Sequence, residues 1–130
     1  MNSGEGIEMS RELLKSWLEG YGRAWETRDP QAAGELFTPD ATYQEAPFEA
    51  PVHGREGIVA YWSQATRNMS NVHFTYEIIA CTDDVAVAHW SASFNRVKSN
   101  TKGELDGIFL LRFEGNHCKS LREWWVRRES

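Results

Sequence analysis

At Asn71 the spacing of apolar residues changes from three and four to two, and that switch divides the chain into a helical part and a sheet. Before it, Leu14, Trp17, Leu18, Tyr21, Ala24 and Trp25 recur at helical spacing and predict an amphipathic helix through about residue 28. Asp29-Pro30 restarts a helix, with Asp as N-cap and Pro in the first helical position; Ala32, Ala33, Leu36 and Phe37 follow until Pro39 stops it. Ala41 to Glu45 suits a strand, and Ala46 to Pro51 an extended loop, because each Pro holds its predecessor out of the helical region. His53-Gly54-Arg55-Glu56 then opens a third helix carrying Ile58, Val59, Tyr61, Trp62 and Ala65.

After the switch, Val72, Phe74, Tyr76 and Ile78 alternate with His73, Thr75 and Glu77. Ala88, Trp90, Ala92 and Phe94 alternate with His89, Ser91, Ser93 and Asn95, and Leu105, Gly107, Phe109, Leu111 and Phe113 with Asp106, Ile108, Leu110 and Arg112. A last strand follows the Gly115-Asn116 turn through about Arg127. Three helices followed by an antiparallel meander is an α+β pattern. One sheet face must be buried against the helices, and a sheet that curls leaves a pocket. The mixture of small and large residues at Ala88, Trp90, Ala92 and Phe94 suits a pocket wall and a plain core equally.

The 130 residues fit one domain, read as residues 9 to 130 behind a flexible tail of residues 1 to 8. A net charge of -5 argues against a nucleic-acid binder and against a polybasic membrane patch. The opening residues lack the charged and apolar regions of a secretion signal, and no apolar run reaches the roughly 18 residues of a membrane span, so a cytoplasmic location is expected. Cys81 and Cys118 have no ligand spacing and read as reduced structural thiols; no motif implies a metal or another cofactor.

Six tryptophans are many for this length, and two or three of them can line a cavity for an apolar ligand. Glu123 faces inward if Leu121 and Trp125 do, and outward, beside Arg122 or Arg127, if Trp124 is the buried one; the outward pairing is the commoner arrangement for a glutamate. His89, Ser91, Ser93 and Asn95 share the outer sheet surface with Ile108 and Leu110, and such a face invites a second copy of the chain. A homodimer is therefore expected.

The stretch from Ala41-Thr42-Tyr43-Gln44-Glu45-Ala46-Pro47-Phe48 through His53-Gly54-Arg55-Glu56 to Ala60-Tyr61-Trp62 resembles the nuclear transport factor 2-like superfamily, especially its SnoaL-like and ketosteroid isomerase-like branches. The likeness extends over most of residues 12 to 127. It implies a cone, with three N-terminal helices packed on a strongly curved antiparallel sheet around an apolar pocket, and often a dimer through the outer sheet face. Laid on the isomerases, the sequence puts Glu45 at the proton shuttle and Tyr21 at an oxyanion-stabilising tyrosine. Phe109 falls where a second oxyanion acid belongs, and Phe37 and Trp62 where further hydroxyls can stand.

The resemblance thus implies a cofactor-independent isomerase, cyclase or related lyase acting on a small apolar carbonyl compound, with Glu45 and Tyr21 as catalytic residues. Trp17, Trp25, Phe48, Trp62, Phe74, Tyr76, Trp90, Phe109, Glu123 and Trp125 are the expected pocket lining. From the residues alone, Glu45 can equally end an edge strand in water, and Tyr21 can be plain core. A lost oxyanion donor costs about 3 to 4 kcal/mol, so efficient steroid isomerisation is not expected. A non-enzymatic binding or interaction module of the same fold is the alternative.

Overall fold

The computed structural model describes the backbone of residues 3–83 and 85–129, with side chains from 11 to 83 and from 85 to 128. Helix α1 (Ser3–Glu26) buries Leu14, Trp17, Leu18, Tyr21, Ala24 and Trp25, the stripe that the helical spacing marks. Its first turns fall in the segment expected as a tail, of which Met1 and Asn2 lie outside the described residues. Helix α2 (Pro30–Gly34) begins where the Asp29 carboxylate accepts a hydrogen bond from the Ala32 N–H at 3.1 Å.

The second helix is shorter than its apolar residues suggest. Phe37 opens strand β1 (Phe37–Gln44), and Pro39 lies inside that strand rather than ending the helix. Pro39 has no N–H for a ladder, and it sits where the pairing of β1 is already irregular, between Phe37 and Thr42. Strand β2 (Val52–His53) folds back on β1. Gly54, at φ +80, then makes the turn into helix α3 (Gly54–Thr66) in a conformation that favours glycine.

Strands β3 (Met69–Cys81), β4 (Val85–Arg96), β5 (Lys102–Glu114) and β6 (His117–Glu129) form the expected meander. The six-stranded sheet has the order β2-β1-β6-β5-β4-β3 and is mixed, because β1 runs parallel to β6. The antiparallel expectation is corrected on this one pair. Parallel and antiparallel ladders share the side-chain period of two, so alternation does not distinguish them. Register shifts interrupt the β1–β6, β3–β4 and β5–β6 ladders, and such irregularities bend a sheet.

The inner face carries Ala86, Ala88, Trp90, Ala92 and Phe94 from β4, Phe109 and Leu111 from β5, and Leu121 and Glu123 from β6, all buried. Arg55 of α3 donates to the carbonyls of Gly34 and Phe37, tying α2 and the start of β1 to the third helix. That tie fixes the strand whose far end carries the site. Among the described residues no helix is long and apolar enough to cross a membrane, and no group of three or more His, Cys, Asp or Glu side chains is arranged to hold a metal.

Candidate functional site

Tyr43 lies at the end of β1 and Glu45 in the bend that immediately follows Gln44, and both side chains line one cavity. The cavity, of about 80 Å³, is where α1, α3 and the inner sheet meet. Tyr21 and Trp25 come from α1, and Tyr61, Trp62, Ala65 and Thr66 from α3. Met69, Trp90, Leu105, Glu123 and Trp125 complete the wall from the sheet. The Trp125 indole N–H donates to the backbone carbonyl of Glu45 at 2.6 Å, which anchors the end of β1 beside β6.

A wider, open depression of about 540 Å³ lies over β3 to β6, with His73, Thr75, Ser91, Ser93, Glu104 and Asp106 among the side chains around it. It is shallow and solvent-facing. The smaller cavity is where buried acids and hydroxyls converge.

Glu123 is the least expected member of that group. Leu121 is buried, Trp125 is half-buried and Trp124 is 39% exposed, so the strand's alternation turns Glu123 inward, where it is only 6% exposed. The surface pairing with Arg122 or Arg127 gives way to this arrangement. Burial drives the Glu123 carboxyl well above the usual carboxylate range, and the nearby charge of Glu45 adds to the rise; hydrogen bonding with the Tyr43 hydroxyl opposes it. The Tyr43 and Tyr21 hydroxyls are themselves hydrogen-bonded at 2.9 Å, so Glu123, Tyr43 and Tyr21 form one buried polar chain. Desolvation also pushes both phenols up, followed for Tyr21 by the charge of Glu123 and for Tyr43 by that of Tyr21. Tyr61 is raised by burial and then by Glu45.

Of the residues marked in the sequence, Tyr21, Glu45, Trp25, Trp62, Trp90, Glu123 and Trp125 meet at the cavity. Five others do not line it. Phe48 is fully exposed, on the loop after β1. Trp17 packs against Phe37 and Phe113 and spends its indole N–H on the Leu36 carbonyl. Tyr76 reaches out to the Glu19 carboxylate at 3.0 Å. Phe74 and Phe109 stand behind the wall, with ring centroids 5.6 and 5.1 Å from that of Tyr21.

Tyr43, Tyr61, Ala65, Thr66, Met69 and Leu105 are the lining residues that sequence reasoning missed. The signal for Tyr43 was present in its two-residue spacing from Glu45. The indole N–H groups of Trp62 and Trp90 are buried without a hydrogen-bond partner, and both nitrogens are sealed within the wall. Trp25 instead donates to the Met69 sulfur at 3.3 Å.

A family model described as a SnoaL-like domain matches residues 18–120. No curated protein matches the chain. Solved structures share its fold. A hypothetical protein with a ketosteroid isomerase-like fold from Catenulispora acidiphila, crystallised with trimethylamine, is 24% identical, with 83% of each chain covered and a TM-score of 0.73. A putative isomerase from Bacillus subtilis is 16% identical, with 97% of this chain and 90% of that one covered and a TM-score of 0.75. SalBIII, an epoxide hydrolase/cyclase-like enzyme with a role in pyran ring formation in the polyether salinomycin, is 16% identical over 92% of each chain, also at a TM-score of 0.75. The family match over most of the chain, on a mixed sheet and helices of this architecture, establishes that the protein belongs to the SnoaL-like domain family.

Proposed function

We propose that the chain is a small-molecule enzyme of the SnoaL-like kind that moves a proton without a cofactor, using Glu45 and Glu123 as its acid/base pair. The observation that carries this reading is that both carboxyl groups line one small cavity, one of them buried in a hydroxyl chain and the other at the mouth-side end of β1. Two carboxyls in different environments divide the work, because the buried one holds its proton and the more accessible one exchanges it. Glu45 takes a proton from a carbon next to a carbonyl and returns it elsewhere on the substrate. Protonated Glu123 donates to Tyr43 and Tyr43 to Tyr21, which leaves the Tyr21 O–H to donate to the oxygen on which charge develops.

The cavity also limits the substrate. Pockets for drug-sized ligands run to about 300 to 1,000 Å³, so about 80 Å³ suits a compact molecule and excludes a steroid. The likeness to an isomerase and to a cyclase-like enzyme agrees with proton-transfer chemistry on this fold.

The test is hydrogen–deuterium exchange at the carbon next to the carbonyl in a panel of small ketones, followed by NMR in heavy water. Wild type should accelerate exchange for at least one ketone, Glu45→Gln should abolish the acceleration, and Glu123→Gln should weaken it. No acceleration across the panel, or full acceleration by Glu45→Gln, contradicts the reading.

A binding module of the same fold is the second reading. What favours it is that the Tyr21 hydroxyl is already engaged by Tyr43, while Phe109 offers no donor. Saturable binding of a compound that is never turned over or exchanged distinguishes it.

A further inference from the structure

We propose that the cavity receives a small organic cation, and that a methylated ammonium group is the chemistry it fits. This deepens the acid/base reading above and rests on it for the location of the site. The ring planes of Tyr21 and Trp25 cross at 88°, those of Tyr21 and Trp62 at 85°, and those of Trp25 and Trp62 at 64°. Three cavity-lining rings steeply inclined to one another, with centroids 5.1 to 6.3 Å apart, form the corner of a box. Trp90, tilted 57° from Trp25, adds a further wall. Aromatic faces carry negative quadrupole charge, and a box of them attracts a cation that has shed its water.

The polar lining has the same sign. Glu45 and Glu123 are the charge-bearing side chains of the wall, and no Lys, Arg or His lines it among the described residues. An anion would meet two carboxyl groups and no cationic side chain. A cation pairs with the Glu45 carboxylate, which a neutral molecule leaves without a counter-charge.

Size and hydrogen bonding select the kind of cation. A primary ammonium brings three N–H donors that each need an acceptor. The Tyr21 and Tyr43 hydroxyls are already bound to each other and Glu123 is engaged by Tyr43, which leaves the Glu45 carboxylate as the main acceptor for three N–H groups. A fully methylated nitrogen needs no acceptor and presents a compact apolar surface to the rings. At about 80 Å³ the cavity has room for such a head group and not for a long chain.

The experiment compares tetramethylammonium chloride with tert-butanol, a neutral molecule of similar shape, at matched ionic strength. Binding is followed through the indole N–H signals of a tryptophan-labelled sample. The cation should shift the Trp25 and Trp62 signals saturably and bind at least about tenfold more tightly than the alcohol. Glu45→Gln should erase most of that preference for the cation over the alcohol. Equal or tighter binding of tert-butanol overturns the cationic assignment yet keeps the cavity as the site of an acid/base reaction on a neutral substrate. Shifts reproduced by sodium chloride alone, or no saturable binding by either probe, also overturn it. Ketone exchange by wild type decides the acid/base reading independently of all these outcomes.

Discussion

Phe109 on β5 and Glu123 on β6 are cross-strand partners, so a fully buried ring and a buried carboxyl stand side by side on the inner face. Phe109 occupies the place where the isomerase likeness implies an acid, and the buried carboxyl of Glu123 lies on the neighbouring strand. The carboxyl still reaches Tyr21, now through the Tyr43 hydroxyl. A single substitution at Phe109 is therefore a poor route to steroid chemistry, since a second acid there would crowd Glu123 inside a cavity too small for a steroid.

Glu123 makes stability depend on pH. Its folded pKa lies above the usual 4.5, so in the window between those two values the native state keeps a proton that the unfolded chain has lost. Stability should fall as pH rises through that window, by up to about 1.4 kcal/mol per pH unit for one proton. Glu123→Gln removes this slope. Urea unfolding from about pH 5 to about pH 8 measures it, and an unchanged slope in the variant would contradict the assignment.

His89 contributes a second pH dependence from the outer face. Its ring bridges Glu77 on β3 at 3.1 Å and Asp106 on β5 at 3.0 Å, and Ser91 donates to Asp106 at 2.6 Å. The hydrogen bond to Asp106 is the largest cause of a His89 pKa above 6.5. The brace is complete below that unfolded value and is lost as pH rises through the folded one. Its sites are solvent-exposed, so His89→Gln should cost no more than about 1 kcal/mol, seen below the transition and absent above it.

Gly107 is required by close approach. A Cβ built there would lie 2.6 Å from the Trp124 carbonyl oxygen and 2.8 Å from the Trp125 Cβ, neither of which moves cheaply. Gly107→Ala should destabilise the fold by about 1 to 3 kcal/mol and displace Trp125 from the end of β1. Thermal unfolding reads the first effect, and loss of Trp125 indole N–H protection reads the second.

Assembly is expected through the outer sheet face. Trp124 and Val126 are 39% and 70% exposed there, with the Arg122 guanidinium 4.8 Å over the Trp124 ring. Exposed apolar groups on an outer strand surface favour an isologous pair. Light scattering should give a dimer mass that Trp124→Glu returns to a monomer; a monomeric wild type at tens of micromolar would contradict this.

The helices and the meander were legible because their apolar residues keep a strict period. What escaped was set by distant parts of the chain. Phe37 carries equal apolar weight at a helix end and at a strand start, and its place was decided by pairing with β6, 81 residues away at Cys118. Glu123 could be oriented only by knowing which of Trp124 and Trp125 is buried, and the tie between Trp125 and the Glu45 carbonyl settles it. Phe48 reads as pocket lining by its neighbours in sequence, yet its loop hydrogen-bonds through Gln44 to Pro47 and Glu49 and leaves the ring in water.

Whether a protonated Glu123 stands beside Glu45 is tested most directly by infrared difference spectroscopy of the carboxylic acid C=O stretch at neutral pH. Wild type and Glu45→Gln should both show the band of a buried carboxylic acid, and Glu123→Gln should lack it. A band that persists in Glu123→Gln, or its absence from wild type, would contradict the account.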